Sequence, residues 1–156
     1  MIDFTMDEKL VISAKWAQNE RNKAYEAMKK VGINYFEPFQ HQLLDINSFF
    51  KIRIGYVSYD FADHPLAHLL NSLFKFHDRN IFQIIGFSLR PDDKSVWRQN
   101  IANTCDEFYQ MESGVSAHDL AKFINGKNIH ILFNLNGWTA GARQDAFALR
   151  PAPIQI

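Results

Sequence analysis

Short apolar segments alternate with helical segments along the chain from residue 51 onward. Residues 52–57, 82–89 and 129–135 are nearly continuous runs of apolar and β-branched residues, and residues 107–109 predict a shorter strand. Strands that are apolar on both faces are typical of a parallel sheet covered by helices on both sides. The alternation therefore predicts an α/β fold with a Rossmann-like parallel sheet and flanking helices.

The predicted helices carry recognisable start signals. Pro65 suits the first turn of a helix, and apolar residues follow it at spacings of three and four. The apolar face of that helix is predicted to consist of Leu66, Leu69, Leu70, Leu73 and Phe74. Asp93 or Ser95 is placed to cap a helix that continues to about residue 103, and Ser116 a helix over about residues 116–125.

The sequence predicts an N-terminal helical arm over residues 1–48 and a Rossmann-like lobe over residues 49–156. A helix over about residues 7–31 is rich in good helix formers, and Gly32 is placed to end it. The apolar side of this helix is predicted to carry Leu10, Ala14, Trp16 and Ala17. A further strand begins near Ile154, so we expect the lobe to be truncated at its C-terminal end.

The charged residues balance, with 17 Lys plus Arg against 17 Asp plus Glu. A formal charge of zero gives no global field that favours nucleic acid or an anionic membrane. No apolar run approaches the roughly 20 residues that span a bilayer, and the N-terminus lacks a signal-peptide pattern. We therefore expect a cytoplasmic protein without a nucleic-acid or membrane partner.

The loop after the first predicted strand carries Asp60, Asp63 and His64, and His68 lies one helical turn beyond His64. In parallel sheets, ligands bind at the carboxyl ends of strands, in the loops that follow. A histidine beside carboxylates there suits a general base, or a donor to a phosphate or sugar. The alternative is that Asp63 caps the helix and His64 is a solvated loop residue. A metal site at His64 and His68 lacks further ligands in sequence.

The loop after the fourth predicted strand is the second candidate. Its polar and aromatic side chains are Asn134, Asn136, Trp138, Thr139 and Arg143. Amides and hydroxyls suit sugar hydroxyls, an indole suits stacking on a sugar face, and an arginine suits a phosphate or carboxylate. Gly137 and Gly141 would let the backbone approach a ligand closely. The alternative is an ordinary connection with turn glycines and a solvated arginine.

Three further features bear on chemistry. Cys105 is the only cysteine, which excludes an internal disulfide, and it is interpreted as a buried, inert thiol rather than a reactive one. His130 lies inside a strand and is interpreted as a buried, hydrogen-bonded histidine rather than a catalytic one. The glycine fingerprints of dinucleotide and P-loop sites are absent.

Two long motifs resemble a known family. They are Ile52-Arg53-Ile54-Gly55-Tyr56-Val57-Ser58-x-Asp60-Phe61-x-x-His64-Pro65 and Asn136-Gly137-x-Thr139-x-Gly141-x-Arg143, the latter continuing through residues 147–155. Both are similar to the catalytic region of the O-linked N-acetylglucosamine transferases, including the SPINDLY-type members. The resemblance covers residues 51–156, about two thirds of the chain.

The resemblance implies a two-lobed GT-B glycosyltransferase, of which this chain carries the N-terminal lobe of the catalytic region. The family transfers N-acetylglucosamine from UDP-N-acetylglucosamine to Ser or Thr of proteins with inversion, and some SPINDLY-type members use GDP-fucose. By resemblance His64 is the catalytic residue. The implied substrate-binding residues are Asp60, Pro65, Asn136, Gly137, Trp138, Thr139 and Arg143. No cofactor or metal is implied, because donors from the second lobe stabilise the leaving diphosphate.

The sequence departs from the family pattern in several ways. The tetratricopeptide repeats that precede the catalytic region, and the second lobe with its essential lysine, are not found in these residues. Lys127 stands where many members are expected to have an acid. We therefore expect no activity from this chain alone, with a second-lobe polypeptide as a candidate partner beside the protein acceptor. The alternatives are a non-catalytic interaction module or remnant lobe and, third, an unrelated Rossmann-like nucleotide binder.

Overall fold

The computed structural model describes residues 5–30, 32, 39–41 and 51–156. The helices are α1 (Met6–Lys30), α2 (Pro65–Leu70), α3 (Val96–Thr104), α4 (Ala117–Asn125) and α5 (Gln144–Ala148), with a 3-10 turn at Phe74–Phe76. The strands are β1 (Ile52–Ser58), β2 (Phe82–Ser88), β3 (Glu107–Gln110), β4 (Ile131–Asn134) and β5 (Ile154–Gln155). The boundary predicted between residues 48 and 49 lies outside the described residues.

The five strands form one parallel sheet in the order β3-β2-β1-β4-β5. β1 is central and pairs with β2 on one side and with β4 on the other. The chain therefore winds outward from β1 in both directions, which is the Rossmann-like arrangement. The predicted α/β class is confirmed, and the carboxyl ends of β1 and β4 lie where the strand order reverses.

Each face of the sheet covers its own apolar core. Neighbouring residues of β2 show the alternation, because Ile84 belongs to one core and Ile85 to the other, and both are fully buried. The core that contains Ile85 lies under α4 and α5 and includes Leu120, Ile124 and Phe147. The opposite core lies under α2 and α3 and includes Phe61, Phe74 and Ile101. The two covered faces explain why β1, β2 and β4 are nearly continuous apolar runs.

Helix α1 packs against α5, and its buried contacts are made by Ala24 and Met28. Ala14, Trp16 and Ala17, which the spacing predicted to form its apolar side, are exposed. The helix therefore forms as predicted, but it buries residues nearer its C-terminal end. The backbone at Gly32 has a φ of +84°, and its N–H donates to the Lys29 carbonyl, which fits the predicted stop.

The helix predicted after Pro65 is shorter than its apolar spacing suggested. α2 ends at Leu70, and the chain then makes a 3-10 turn that buries Phe74. Leu70 and Phe74 pack in the core as predicted, whereas Leu69 and Leu73 are 82% and 39% exposed. The predicted caps of the next two helices are confirmed: Ser95 accepts from the Arg98 N–H and Ser116 from the Asp119 N–H.

No helix within residues 5–30 and 51–156 is long and apolar enough to cross a membrane.

Candidate functional site

Two loops meet at the carboxyl edge of the sheet. The first loop, residues 59–64, follows β1, and the second loop, residues 135–143, follows β4. The strands are direct neighbours, with Val57 paired to Asn134 at their carboxyl ends. The structure therefore brings together the two segments that the sequence singled out independently.

Asn136 joins the two loops. Its side-chain oxygen accepts from the Tyr59 N–H at 2.6 Å, and its Nδ2 donates to Asp60 Oδ2 at 2.6 Å. The residue is only 5% exposed, so these bonds form away from bulk water. Both ends of the amide are thus used within the protein, and Asn136 orders the site instead of offering a free amide to a ligand.

His64 caps helix α2. Its backbone is extended, with a φ of −149°, and its Nδ1 accepts from the Leu66 N–H at 3.2 Å. A neutral imidazole has one acceptor and one donor nitrogen, so the cap places the proton on Nε2. His64 Nε2 lies 3.9 Å from Asp60 Oδ1, and the side chain is 42% exposed. The ring is therefore held between a fixed helix end and a buried carboxylate, with its N–H at the edge of the sheet.

Asp63 does not cap the helix, so that alternative is wrong. Its carboxylate contacts His68 Nε2 at 2.7 Å, and its N–H donates to Asp93 Oδ2 at 2.6 Å. Pro65 occupies the first position of α2, where its missing N–H leaves no donor unsatisfied, and it is exposed. No group of three or more His, Cys, Asp or Glu side chains within the described ranges is arranged to hold a metal ion.

The second loop turns tightly on itself. The Thr139 hydroxyl donates to the Asn136 carbonyl at 2.9 Å, which closes the turn. Gly137 and Gly141 have φ values of +53° and +81°. At Gly141 a Cβ would lie 2.3 Å from the ring of Tyr59, so the close approach of the two loops requires glycine there.

Trp138 points away from the first loop and contacts helix α1. Its ring lies 5.5 Å from that of Trp16 in an edge-to-face arrangement, and the side chain is 66% exposed. A cavity of about 650 Å³ opens beside the two indoles. It is lined by Trp16, Ala17, Glu20, Trp138, Gln144, Phe147, Ala148 and Gln155.

Arg143 is not the solvated arginine of the alternative interpretation, since its side chain is only 20% exposed. Its guanidinium pairs with the carboxylate of Asp145 and donates to the Val115 carbonyl at 2.9 Å. These contacts hold the start of α5 against the loop before α4. Since the donors of Arg143 face protein acceptors, the expected pairing with a phosphate or carboxylate of the substrate has no support in this geometry.

Arg98 of α3 is the site residue that the sequence analysis missed. It is 5% exposed, and its Nη1 donates to the Phe61 carbonyl at 2.9 Å and to the Ser88 hydroxyl at 2.6 Å. Its Nη2 donates to Gln110, and its Nε lies 3.1 Å from Asp92. Burial lowers the pKa of Arg98, against the opposing effect of the Asp92 charge. The sequence held one clue, namely that Arg98 lies in the first turn of a helix whose predicted cap, Asp93 or Ser95, follows the end of a strand.

The remaining candidates lie away from this edge. His130 is buried, its Nδ1 accepts from the Arg53 N–H at 2.8 Å, and burial lowers its pKa, as expected of a hydrogen-bonded core histidine. Lys127 precedes β4, and its carbonyl accepts from Arg53 Nε at 2.7 Å near the start of β1, so its backbone lies at the opposite edge of the sheet, while its Nζ contacts the Tyr109 hydroxyl at 2.8 Å. Burial raises the pKa of Cys105 to about 12, as expected of an inert thiol.

Comparison with known proteins identifies the same segment. The family model described as glycosyl transferase family 41 matches residues 5–156. The chain is 45% identical over 108 residues to the Arabidopsis thaliana protein named probable UDP-N-acetylglucosamine–peptide N-acetylglucosaminyltransferase SEC, a match covering 69% of this chain and 11% of that protein. It is 41% identical over 106 residues to the UDP-N-acetylglucosamine–peptide N-acetylglucosaminyltransferase of Caenorhabditis elegans, covering 68% of this chain and 9% of that protein. The chain thus spans about a tenth of the length of these relatives.

A solved structure shows the same fold. A mutant of the O-GlcNAc transferase of Thermobaculum terrenum superimposes with a TM-score of 0.72 at 21% sequence identity. The superposition covers 99% of this chain and 27% of that one.

Proposed function

The chain belongs to glycosyl transferase family 41, and from this we propose that it forms the N-terminal lobe of the catalytic region of a protein O-linked N-acetylglucosamine transferase-like enzyme. The donor substrate is a nucleotide sugar, with UDP-N-acetylglucosamine favoured by the names of the relatives. The acceptor is a Ser or Thr hydroxyl of a protein. The reaction forms a bond between that oxygen and the anomeric carbon while the bond from this carbon to the diphosphate breaks.

One observation supports the proposal most directly. His64 and Asp60 lie side by side at the carboxyl edge of the sheet, and Asn136 of the neighbouring loop donates a hydrogen bond to Asp60. This edge, where the strand order reverses, is the ligand-binding position of Rossmann-like sheets. The first loop is held on both sides before any ligand arrives, which is the pre-organisation that catalysis by positioning needs.

His64 acts in this proposal as a hydrogen-bond donor. Its Nδ1 is occupied by the Leu66 N–H, so Nε2 carries the proton of the neutral ring and cannot also accept one. A donor that faces the reacting groups can orient a sugar or acceptor oxygen and stabilise charge that develops on it. The buried carboxylate of Asp60, 3.9 Å from Nε2, favours this orientation of the ring.

A second lobe completes the proposed site. In this proposal the described residues form one wall of a cleft, because orientation and stabilisation of a leaving diphosphate require groups on two facing walls. We assign the other wall to a second lobe, which meets the carboxyl edge of this sheet. The proposal includes a cytoplasmic location and no metal or cofactor requirement. It also includes no nucleic-acid partner, which the zero formal charge supports.

The test is sugar transfer by this chain joined to the second lobe of a family member, with labelled UDP-N-acetylglucosamine and an acceptor protein. We expect transfer that His64→Ala reduces by at least about a hundredfold, the usual scale for a lost proton-transfer or oxyanion-type group. His68→Ala is the matched control, because His68 lies one turn away and faces Asp63. Equal loss in both variants, or no loss in either, would rule out the role given to His64.

An interaction module remains the second candidate, and one observation favours it. Leu69 and Phe76 are 82% and 77% exposed on the segment after the first loop. A contiguous exposed apolar patch marks a binding surface, so this candidate requires that the two side chains act together. Sedimentation of the purified chain tests this candidate: self-association that Leu69→Ser with Phe76→Ser removes would support it, and a monomer in both forms would dismiss self-association.

A further inference from the structure

We propose that Arg98 is the positioning residue of the site: from helix α3 it fixes the first loop, and through that loop it sets the orientation of the His64 ring. The inference rests on the proposed function only for the importance it gives to His64. The coupling of Arg98 to His64 stands on the geometry alone.

The guanidinium of Arg98 ties together the ends of three strands. It donates to the Phe61 carbonyl after β1, to the Ser88 hydroxyl at the end of β2, and to the Gln110 side chain at the end of β3. Its plane also lies over the Phe108 ring, 5.2 Å from the ring centroid. A planar group with five donors in fixed directions can satisfy acceptors on three elements at once, which a lysine ammonium cannot do.

The contact to the first loop is made at its centre. Phe61 lies between Asp60 and His64, and its ring is fully buried in the core under α2 and α3. Its carbonyl would have to leave the Arg98 guanidinium before this backbone could rotate. Because His64 follows only three residues later, the Arg98 bond constrains the direction in which the chain enters α2.

The residues before and after the α3 cap contact the end of the first loop and helix α2, which follows it. Asp93 Oδ2 accepts from the Asp63 N–H at 2.6 Å, and the Trp97 ring lies 4.2 Å from that of His68. Asn136 holds the opposite side through Tyr59 and Asp60. The first loop is therefore clamped between α3 and the second loop, and Arg98 is the buried charged member of that clamp.

The experiment uses the ¹⁵N-labelled chain and reads the imidazole nitrogens of His64 and the amide proton of Leu66 by NMR. In the unchanged chain we expect the Nε2–H tautomer of the His64 ring, because Nδ1 accepts from the Leu66 N–H, and a protected Leu66 amide. In Arg98→Met we expect a mixture of tautomers and exchange of the Leu66 amide that is faster by about tenfold, as for a lost cap. Arg98→Lys should not rescue either signal, because it lacks the planar fork.

Arg53→Met is the matched control. Arg53 also pairs with a carboxylate, Glu107, and donates to Gln83 and to the Lys127 carbonyl, but at the opposite edge of the sheet. We expect this variant to lower the unfolding temperature without moving the His64 signals. If it moves them as much as Arg98→Met does, Arg98 acts only through general stability and the proposal fails.

Gln110→Ala provides a second test of the coupling if the Arg98 variants do not fold. It removes one partner of Arg98 at an exposed position and should shift the His64 signals in the same direction by a smaller amount. Unchanged His64 signals in folded Arg98 and Gln110 variants would overturn the coupling. Signals that move as expected in a chain whose joined form transfers no sugar would instead leave the coupling intact and refute the proposed function.

Discussion

His64 combines a structural role with the proposed chemical one, and the two can be separated. The cap on α2 needs only an acceptor near the Leu66 N–H, which an asparagine side chain also provides. The N–H at the edge of the sheet needs the imidazole. We expect His64→Ala to lower the free energy of unfolding by about 1 kcal/mol and His64→Asn by much less. Urea unfolding at pH 7 measures both, and equal losses would show that the cap contributes nothing.

His130 makes the stability of the fold depend on pH. Burial, with a further effect of the Arg53 charge, lowers its pKa below the value of about 6.5 expected in the unfolded chain. The unfolded chain therefore takes up a proton first as the pH falls, and the folded state loses stability from about pH 6.5 downward. We expect His130→Asn, which keeps an acceptor for the Arg53 N–H, to show a shallower loss between pH 7 and pH 5 in urea unfolding. An unchanged slope would assign the pH dependence to other groups.

Cys105 should be unreactive in the folded chain. Burial raises its pKa to about 12, against about 8.5 for a free cysteine, so at pH 8 the reactive thiolate is roughly a thousandfold rarer than in the unfolded chain. We expect iodoacetamide to alkylate the native protein slower by that order, and the same protein in urea at the ordinary rate. Rapid alkylation of the native chain would revive the reactive-thiol interpretation.

The sequence identifies residues well where their partners are close along the chain or share the pattern of a motif. Ser95 and Ser116 are examples, since each caps a helix that begins at the next residue. Arg98 could not be assigned in this way, because its acceptors at Phe61, Ser88 and Gln110 become neighbours only when the sheet forms. Trp138 illustrates the same limit, as its contact with Trp16 depends on how α1 packs.

At the scale of elements, the order of strands and helices follows from the sequence. Which face of a helix is buried depends on how the helix packs in the fold. Four strands and the helices between them lie close to their predicted positions, because apolar runs and caps are local signals. For α2 and the turn after it, the prediction holds for Leu70 and Phe74 but not for Leu69 and Leu73, which are exposed. For α1 it is wrong for Ala14, Trp16 and Ala17, whereas the side chain of Leu10 lies outside the described residues. In α1 Ala24 and Met28 are buried, while Trp16 contacts Trp138 at a largely exposed position.

The packing of the second loop on the first gives a prediction at this scale. Alanine at Gly141 would place its Cβ 2.3 Å from the Tyr59 ring, whereas at Gly137 nothing lies within 4 Å. Both positions have positive φ, so both substitutions carry strain of about 1–2 kcal/mol. We expect Gly141→Ala to destabilise the chain by about 1–3 kcal/mol more than Gly137→Ala, from overpacking. Equal values in urea unfolding would mean that the loops do not pack as described.

At the scale of the whole molecule, the fold and the family membership agree. The parallel sheet and its strand order are those of a Rossmann-like lobe, and the family model assigns the chain to glycosyl transferase family 41. Its pre-organised first loop faces the side on which we place the second lobe. The contacts within this lobe fix the first loop, but the proposed active site also needs groups from the second lobe. We therefore expect this lobe to be inactive by itself.

The decisive measurement is transfer of labelled N-acetylglucosamine from UDP-N-acetylglucosamine to an acceptor protein by the purified 156-residue chain, alone and joined to a family second lobe. We predict no transfer by the chain alone and transfer by the joined protein, lost with His64→Ala. Transfer by the chain alone that His64→Ala abolishes would show that this lobe holds a complete active site, which is incompatible with the two-lobed site proposed for it.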